Sequence, residues 1–274
     1  VLGLAACGAE KAPETEAPTD PETTPERRRF QYRGIPDRGK TELWKYGYLT
    51  FDSPEIETVS KNMEYYLAAW SVAQVAGRLG HKEDSVRFHN LSMCYKKIYD
   101  ERVGYFRAKD KAGNFRTTEG FNPSHHTKDY TEGTPWQYLW LVPHDVNGLI
   151  DMLGGKKKAE ARLDSLFLAD SKLNADANPD ISGLIGQYAH GNEPSHHTIY
   201  IYNYLGQPDK ASRRIHEVFK TMYTDKPDGV CGNEDVGQMS AWYVMAAMGL
   251  YQVEPCGGIY QLSAPLAREA SFDV

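Results

Sequence analysis

The chain has 274 residues, a formal net charge of −6 and a pI near 5.9. Hydrophobic residues make up 41% of it and charged residues 25%, which is enough apolar material for a sizeable core and excludes a wholly disordered chain. The acidic balance argues against nucleic acid as a partner, because contacts to phosphates need a basic face.

The chain begins with a short apolar stretch that ends in Leu4-Ala5-Ala6-Cys7. This stretch is similar to the lipobox of bacterial lipoproteins, in which the cysteine becomes lipidated. The resemblance implies an exported bacterial lipoprotein, periplasmic or at the cell surface, whose membrane contact is only through a lipid anchor at Cys7. The alternative is an apolar terminus with a stray cysteine.

The segment after Cys7 changes composition sharply. Residues 8–26 are rich in Pro, Glu, Thr and Asp, and such acidic, proline-rich tracts stay extended and build no core. We therefore expect a signal remnant over 1–7, a disordered tether with an unassigned segment over 8–43, and one folded domain over 44–274.

Apolar residues at helical spacing dominate the domain and predict a series of helices. These are expected over 57–80, 82–99, 134–153 in two pieces, 156–169, 194–205, 209–223 and 236–250. Long polar loops are expected at 104–129, 174–180 and 226–235, and residues 259–274 have some strand character. Repeated helix pairs predict an all-α architecture, a toroid or a bundle, with functional loops at one set of helix ends.

Three cysteines lie within the predicted domain: Cys94, Cys231 and Cys256. None forms a C-x-x-C pair, which argues against a zinc ribbon or a thioredoxin-type site. Export would place them in an oxidising compartment, where a Cys231–Cys256 bridge is an option that the spacing leaves open. No apolar run approaches the ~20 residues of a membrane span.

Three loop-to-helix junctions concentrate polar and aromatic residues. The first is D-Y-T-E-G-T-P-W-Q-Y over 129–138, in which Glu132 stands just before a helix start. Glu132 is either a carboxylate favoured by the helix dipole or a catalytic acid. Trp136 and Tyr138 are two positions apart, so they point to different faces of the helix.

The second junction is Q-Y-A-H-G-N-E-P-S-H-H over 187–197. Its spacing is not the H-E-x-x-H of a zinc site, so a structural role in the core is the simpler interpretation for each histidine. The side-chain oxygens of Asn192 and Glu193 suit a hard cation or sugar hydroxyls instead.

The third junction, G-N-E-D-V-G-Q-M-S-A-W-Y over 232–243, places acid and amide groups before a helix. Asp235 is either an N-cap or a catalytic base. Glycoside hydrolysis with inversion needs two carboxyl groups roughly 6.5–9.5 Å apart, with room for a water molecule. Glu132 and Asp235, on separate loops at helix starts, suit this requirement, and only a structure can give their distance.

The junctions, together with V-P-H-D-V over 142–146 and D-I-S-G-L-I-G over 180–186, closely resemble glycoside hydrolase family 92 from about Tyr46 to Leu266. Members are calcium-dependent, inverting exo-α-mannosidases, many of them specific for α-1,2 links. The resemblance implies Ca²⁺ as cofactor, a mannose-containing glycan as substrate and a partial (α/α)6 toroid as fold. Members also carry an N-terminal β-sandwich, which no segment here matches, so we expect a fragmentary member with reduced or absent turnover.

The resemblance also assigns roles to single residues. Glu132 matches the general acid, and Asp235 matches the general base that activates water. Asn192 and Glu193 fall in the calcium and substrate region, as metal ligands. Many members have a second aspartate at the position of Asn233, so this chain lacks one carboxylate there. The residues expected to bind substrate are Trp136, Gln137, His190, His196, His197 and Asn233.

Other functions stay open on the sequence. Another (α/α)6 carbohydrate enzyme is one alternative, although a polysaccharide lyase would need a basic cluster for its uronic-acid substrate, which these motifs lack. A chain that keeps the groove without turnover would be a non-catalytic glycan-binding lipoprotein or an inactive fragment. Sugar binding without hydrolysis would distinguish the binding protein from the enzyme.

Overall fold

The computed structural model describes residues 40–271, so the predictions for Cys7 and its lipid anchor lie outside the described residues. Of the tether and unassigned segment expected over 8–43, only residues 40–43 are described, and they belong to a helix. Residues Gly39–Arg268 form one compact unit. A second unit joins 1–38 with 269–274, and of it the structure describes only 269–271, which form no helix or strand. Across the described range, no helix combines the length and apolar character that crossing a bilayer requires.

The described residues are mostly helical. The α-helices are α1 (Lys40–Tyr46), α2 (Thr58–Arg78), α3 (Lys82–Ser92), α4 (Pro135–Tyr138), α5 (Val146–Met152), α6 (Lys156–Leu168), α7 (Ile201–Tyr204), α8 (Pro208–Met222) and α9 (Gln238–Ala247). Short 3-10 helices cover Met93–Ile98, Pro143–Asp145, Glu193–Ser195 and Thr198–Tyr200. This helix-rich fold confirms the predicted helical class.

The strands are two residues long and form antiparallel pairs. They are β1 (Tyr99–Asp100) with β2 (Tyr105–Phe106), β3 (Leu184–Ile185) with β4 (Tyr188–Ala189), and β5 (Leu250–Tyr251) with β6 (Gln261–Leu262). In register, Tyr99 faces Phe106, Leu184 faces Ala189 and Leu250 faces Leu262. The last pair is the small β element expected towards the C-terminal end, and the first two were not predicted.

The long helices follow their apolar periodicity. The buried residues of α8 repeat every three or four positions, so one face of the helix packs inward: Ala211, Ile215, Val218, Phe219 and Met222. The largest fully buried side chains of the core are aromatic, and include Trp140, Trp242, Tyr66, Tyr95, Tyr188, Tyr200 and Tyr202. The core therefore reaches directly behind the predicted junctions, which supply Tyr188 and Trp242.

The hairpin of α2 and α3 shows how sequence sets a helix boundary. After α2 ends at Arg78, Gly80 has φ of 81°, a left-handed conformation that glycine adopts without steric cost. The Ser85 hydroxyl donates to the Ala73 carbonyl at 3.0 Å, which ties the two helices together. The predicted stop near residue 80 is thus confirmed.

Two predicted helical segments contain less regular α-helix than expected. The break between the two predicted pieces of 134–153 is confirmed, because Pro143 lacks an N–H and disfavours helical backbone at the preceding Val142, which has φ of −129° and ψ of 51°. The first piece, however, contains only the short α4. The segment 194–205 consists of two 3-10 turns followed by α7. Helical spacing alone therefore overestimated the length of regular helix at both junctions.

Two further predictions change in detail. The helix predicted from Val236 begins at Gln238, because Val236 and Gly237 have φ of 60° and 85°, which no α-helix accommodates. Cys94, Cys231 and Cys256 are free thiols, so the Cys231–Cys256 bridge that the sequence left open is not formed.

Candidate active site

The three predicted junctions meet at one place in the domain. Asn192 Nδ2 donates to the backbone oxygen of Glu132 at 2.7 Å, which joins the second junction to the first. The second and third junctions touch through their backbones, since a Cβ on Gly232 would overlap the carbonyl of Gly191. Only glycine permits this approach, and it brings Asp235 near Glu193.

Glu132 lies half-buried on the loop before α4, with φ of 44°. The N-cap of α4 is Thr134, whose side chain accepts from the Trp136 amide and completes a capping box with Gln137. Since Thr134 and Gln137 satisfy the helix start, Glu132 is not required there as a capping group. Its carboxyl group is therefore available for another role.

The environment of Glu132 favours its protonated form. Burial raises the pKa of the Glu132 carboxyl above its ordinary value. Three neighbouring carboxylates raise that pKa further: Asp180, Asp235 and Glu57. A carboxyl group that keeps its proton to higher pH has the property that a general acid requires.

Asp235 occupies the opposite kind of environment, on an exposed loop. The N-cap residue of α9 is Gly237, and the carboxylate that bonds this helix start is Glu234, whose Oε1 accepts from the Ser240 amide at 3.0 Å. The N-cap interpretation of Asp235 is therefore wrong. Its carboxylate is open to water, as the group that removes a proton from water must be.

Backbone strain is concentrated around these carboxylates. Five described non-glycine residues have φ in the left-handed region, and four of them belong to this site: Glu57, Glu132, Asp235 and Val236. For a β-branched residue such as Val236, with φ of 60°, this conformation is a genuine outlier. Strained backbone of this kind persists where the surrounding contacts hold it, typically at functional sites.

Asn192 and Glu193, the predicted metal ligands, lie beside Glu132 and Asp235 respectively. Glu193 Oε1 is buried and has no hydrogen-bond partner. Burial raises the pKa of Glu193, and the nearby Asp235 carboxylate raises it further. Amide and carboxylate oxygens fit a hard cation such as Ca²⁺ in kind. No group of three or more His, Cys, Asp or Glu side chains within 40–271 is arranged to hold a metal ion.

The three histidines of the second junction are buried, with 0%, 1% and 6% of their surface exposed at His190, His196 and His197. Burial lowers the pKa of His190 to about 2 and the pKa values of His196 and His197 to about 4. All three are therefore neutral near pH 7. His197 Nε2 donates to the Trp140 carbonyl at 2.7 Å, which fixes that ring in the core.

Hydrogen bonds determine the tautomer of His190. The Tyr223 hydroxyl donates to the Met239 carbonyl at 3.0 Å, so its oxygen accepts from His190 Nε2 at 2.8 Å. His190 Nδ1 then carries no hydrogen and accepts from the Tyr188 hydroxyl at 2.8 Å. This chain of bonds connects β4 to the start of α9, the helix that follows the loop of Asp235.

His196 makes a second connection between the same elements. Its Nε2 donates to the His190 carbonyl at 2.9 Å, and its Nδ1 accepts from Gln238 Nε2 at 3.2 Å. Trp242 Nε1 donates to the His196 carbonyl at 3.1 Å. The polar atoms of His190 and His196 thus have protein partners, and their predicted role in substrate binding stays a prediction.

The remaining predicted residues lie at the junctions with different surroundings. Gln137 is buried and its Nε2 donates to the Gln187 carbonyl at 2.5 Å, which joins the first two junctions. Trp136 is half-buried and its Nε1 donates to Ser124 Oγ at 3.2 Å. Asn233 is exposed on the loop of Asp235. That Trp136, Gln137 and Asn233 bind substrate stays a prediction, because these contacts do not test it.

Two site residues were missed in the sequence. Asn233 Nδ2 donates to Asp180 Oδ1 at 3.2 Å, and Asp180 acts on the pKa of Glu132. Asp180 ends a predicted polar loop, and its place at the start of the D-I-S-G motif is the signal that could have identified it. Glu57 starts a predicted helix, and nothing in its local sequence indicates that it lies near Glu132.

Comparison with known proteins places this geometry in a family. The model of the Glycosyl hydrolase family 92 catalytic domain matches residues 9–274. An "Uncharacterized secreted glycosidase" of the fungus Arthroderma benhamiae is 34% identical over 149 residues, 54% of this chain and 17% of that protein.

Solved structures agree with this match. The family GH92 alpha-mannosidase BT3965 of Bacteroides thetaiotaomicron, in complex with mannoimidazole, is 40% identical with a TM-score of 0.76, over 82% of this chain and 30% of that one. The family GH92 inverting mannosidase BT2199 of the same organism is 35% identical with a TM-score of 0.72, over 83% and 32%. The chain thus spans about a third or less of the length of these relatives, and it belongs to glycosyl hydrolase family 92.

Proposed function

We propose that this chain carries the acid and base of a calcium-dependent exo-α-mannosidase that removes terminal mannose, with α-1,2-linked mannose as the preferred residue, and inverts the anomeric configuration. The observation that carries the proposal is the contrast between a half-buried Glu132 with a raised pKa and an exposed Asp235 close enough to influence it. Family membership and the similarity to solved mannosidase structures support the substrate class.

In the proposed reaction each carboxyl group transfers one proton. Glu132 gives its proton to the glycosidic oxygen as the bond from that oxygen to C1 of mannose breaks. Asp235 takes a proton from a water molecule, whose oxygen bonds to C1 from the opposite face and gives β-mannose. Solvent then returns the proton from Asp235 to Glu132, and the cycle closes with one glycosidic bond hydrolysed.

The remaining site residues have supporting roles in this proposal. Asn192 Oδ1 and Glu193 Oε1 would hold Ca²⁺, together with oxygens from backbone, water or sugar hydroxyls. A bound calcium ion supplies a fixed positive charge that binds and orients sugar hydroxyl groups. The carboxylate of Asp180, held by Asn233, faces the same loops and offers a further acceptor for a hydroxyl group.

Two wider features belong to the same proposal. The helices of the described domain would form part of an (α/α)6 toroid, and the chain would be exported and held by a lipid at Cys7. The secreted glycosidase among the relatives supports export. Labelling of the chain with radioactive palmitate, with a longer labelled precursor accumulating in the presence of globomycin, would test the anchor, and a Cys7→Ser variant that is still labelled would refute it.

The activity is tested with α-1,2-mannobiose. We expect release of mannose, loss of turnover with a calcium chelator, and recovery on adding Ca²⁺. Proton NMR taken early in the reaction should show β-mannose first, because inversion of an α-glycoside gives the β-anomer. Early α-mannose would refute inversion. Sugar binding by calorimetry without any hydrolysis would instead identify a glycan-binding protein.

A further inference from the structure

We infer that Asn192 is a positioning residue that holds the backbone of Glu132 in the conformation from which its carboxyl group serves the site. The inference rests on the proposed role of Glu132 as the general acid. It deepens that proposal because it gives the amide nitrogen of Asn192, and not only its oxygen, a part in the reaction.

The acid loop, residues 131–133, has three consecutive carbonyl groups that each accept a hydrogen bond from a side chain. The pairs are Tyr138 hydroxyl to Thr131 O at 2.7 Å, Asn192 Nδ2 to Glu132 O at 2.7 Å, and His126 Nδ1 to Gly133 O at 2.9 Å. A carbonyl oxygen only accepts, so each side chain is the donor and His126 carries its hydrogen on Nδ1. Three carbonyl groups fixed in a row define one backbone path for the loop.

The acid loop needs such restraint because of its conformation. Glu132 has φ of 44°, which costs free energy for any residue with a Cβ atom. Without the restraint, the backbone at Glu132 relaxes towards a negative φ. That rotation moves the carboxyl group, and a misplaced acid protonates the leaving oxygen poorly.

Asn192 differs from the other two donors in its origin. His126 and Tyr138 each lie seven residues from the group they bond, whereas Asn192 is sixty residues from Glu132. Asn192 is also buried, with 8% of its surface exposed, so water competes poorly for its amide group. This one hydrogen bond therefore fixes the acid loop to the junction that contains Glu193.

A pair of substrates distinguishes action through Glu132 from other roles of Asn192. The leaving alcohol of α-1,2-mannobiose needs a proton, whereas the dinitrophenolate of 2,4-dinitrophenyl α-mannoside leaves without one. In Asn192→Asp the side chain keeps an oxygen ligand but has no hydrogen to donate. We expect kcat on mannobiose to fall about 10–100-fold with KM within about 3-fold, and kcat on the aryl mannoside to change less than about 3-fold.

Asn203→Asp is the matched control. Asn203 Nδ2 also donates to a backbone carbonyl, that of Leu262, at 2.8 Å, and lies outside the site. This variant should change kcat on either substrate less than about 2-fold, since distant sites act independently. Equal losses on both substrates in Asn192→Asp, with weaker calcium binding by calorimetry, would show that Asn192 acts through the metal and would overturn the inference.

Glu132→Gln, assayed on the same substrates, tests the proposed function separately. Equal losses on both substrates would refute the acid assignment. A loss confined to mannobiose in Glu132→Gln, but absent in Asn192→Asp, would refute only the inference.

A carbonyl ¹³C spectrum tests the hydrogen bond without any need for turnover. The Glu132 carbonyl shift should move in Asn192→Asp and stay unchanged in Asn203→Asp, which should move the Leu262 carbonyl instead. An unmoved Glu132 carbonyl in Asn192→Asp would overturn the inference, even in a chain that does not hydrolyse mannosides.

Discussion

The two sides of the candidate site hold their carboxyl groups in opposite ways. On the acid side, Glu132 is half-buried on a loop fixed by side-chain donors such as Asn192, and burial raises its pKa. On the base side, Asp235 and Val236 stand on an exposed loop, although Asp235 has the same φ of 44° as Glu132. The same left-handed backbone conformation is thus held by buried contacts at Glu132 and exposed to solvent at Asp235.

The difference matches the two roles proposed for these groups. A general acid must hold its proton and present it at one position, so burial and fixed backbone both serve it. A general base must reach water, so its loop stays open. The buried bonds of His190 and His196 to Tyr223 and Gln238 give the exposed loop a rigid base from which to project.

The largest effects should come from the two carboxyl groups themselves. Glu132→Gln should lower kcat on α-1,2-mannobiose about 10²–10⁴-fold and much less on the dinitrophenyl mannoside, because that leaving group needs no proton. Asp235→Asn should lower kcat by a similar factor on both substrates, since water must still be activated. Steady-state kinetics of both variants, with Glu234→Gln as the control, would measure these effects. If Asp235→Asn lost much less kcat on the dinitrophenyl mannoside than on mannobiose, the assignment of Asp235 as the base would be contradicted.

The buried histidines behind the site should make stability depend on pH. The pKa of His197 is lowered by burial from 6.5 to about 4, so the unfolded chain takes up a proton that the folded chain refuses. The contribution of each such histidine to the free energy of unfolding is therefore fully present above pH 6.5. It is lost as the pH falls from 6.5 towards 4, at about 1.4 kcal/mol per pH unit for each group.

Urea denaturation across this pH range would measure the effect. In His197→Gln the slope should fall by one such contribution, whereas His81→Gln, at an exposed position, should leave it unchanged. If the free energy of unfolding had the same slope against pH in the unsubstituted protein and in both variants, His197 would not be buried in its neutral form.

The strained base loop predicts a stabilising substitution. Val236 is fully exposed with φ of 60°, so its side chain contributes little packing while its backbone is strained. Val236→Asn should raise the free energy of unfolding by about 0.5–1 kcal/mol, because asparagine tolerates the left-handed region. Thermal denaturation would check this, with Val244→Asn in α9 as the control. An equal rise in the free energy of unfolding of the control would refute the explanation by strain.

The smallest effect should appear where the two sides meet. Asp180 is one of the carboxylates that raise the pKa of Glu132, and in the proposed mechanism Glu132 is active in its protonated form. Asp180→Asn should therefore lower the pKa of Glu132 and move the alkaline limb of the kcat/KM profile to lower pH. Asp176→Asn, which removes a charge from the same loop, should leave that limb in place. If the alkaline limb moved equally in both variants, Asp180 would have no specific influence on Glu132.

The sequence by itself predicted the features that depend on local order. Amphipathic spacing located α2, α6 and α8 closely, and glycine at residue 80 marked a helix end. The ordered motifs around Glu132, Asn192 and Asp235 were enough to indicate the family, because each motif is continuous in the chain. The start of α9 was harder to predict, since the left-handed conformation of Val236 depends on its neighbours as much as on its residue type.

Only the tertiary structure decided how these motifs act on one another. The bond from Asn192 to Glu132, the influence of Asp180 and Glu57 on the pKa of Glu132, and the enclosure of His190 all join residues far apart in the chain. Burial and electrostatic interaction depend on distance in space, which residue spacing does not contain. The sequence therefore proposed the two carboxyl groups, whereas the difference between a half-buried Glu132 with a raised pKa and an exposed Asp235 belongs to the fold.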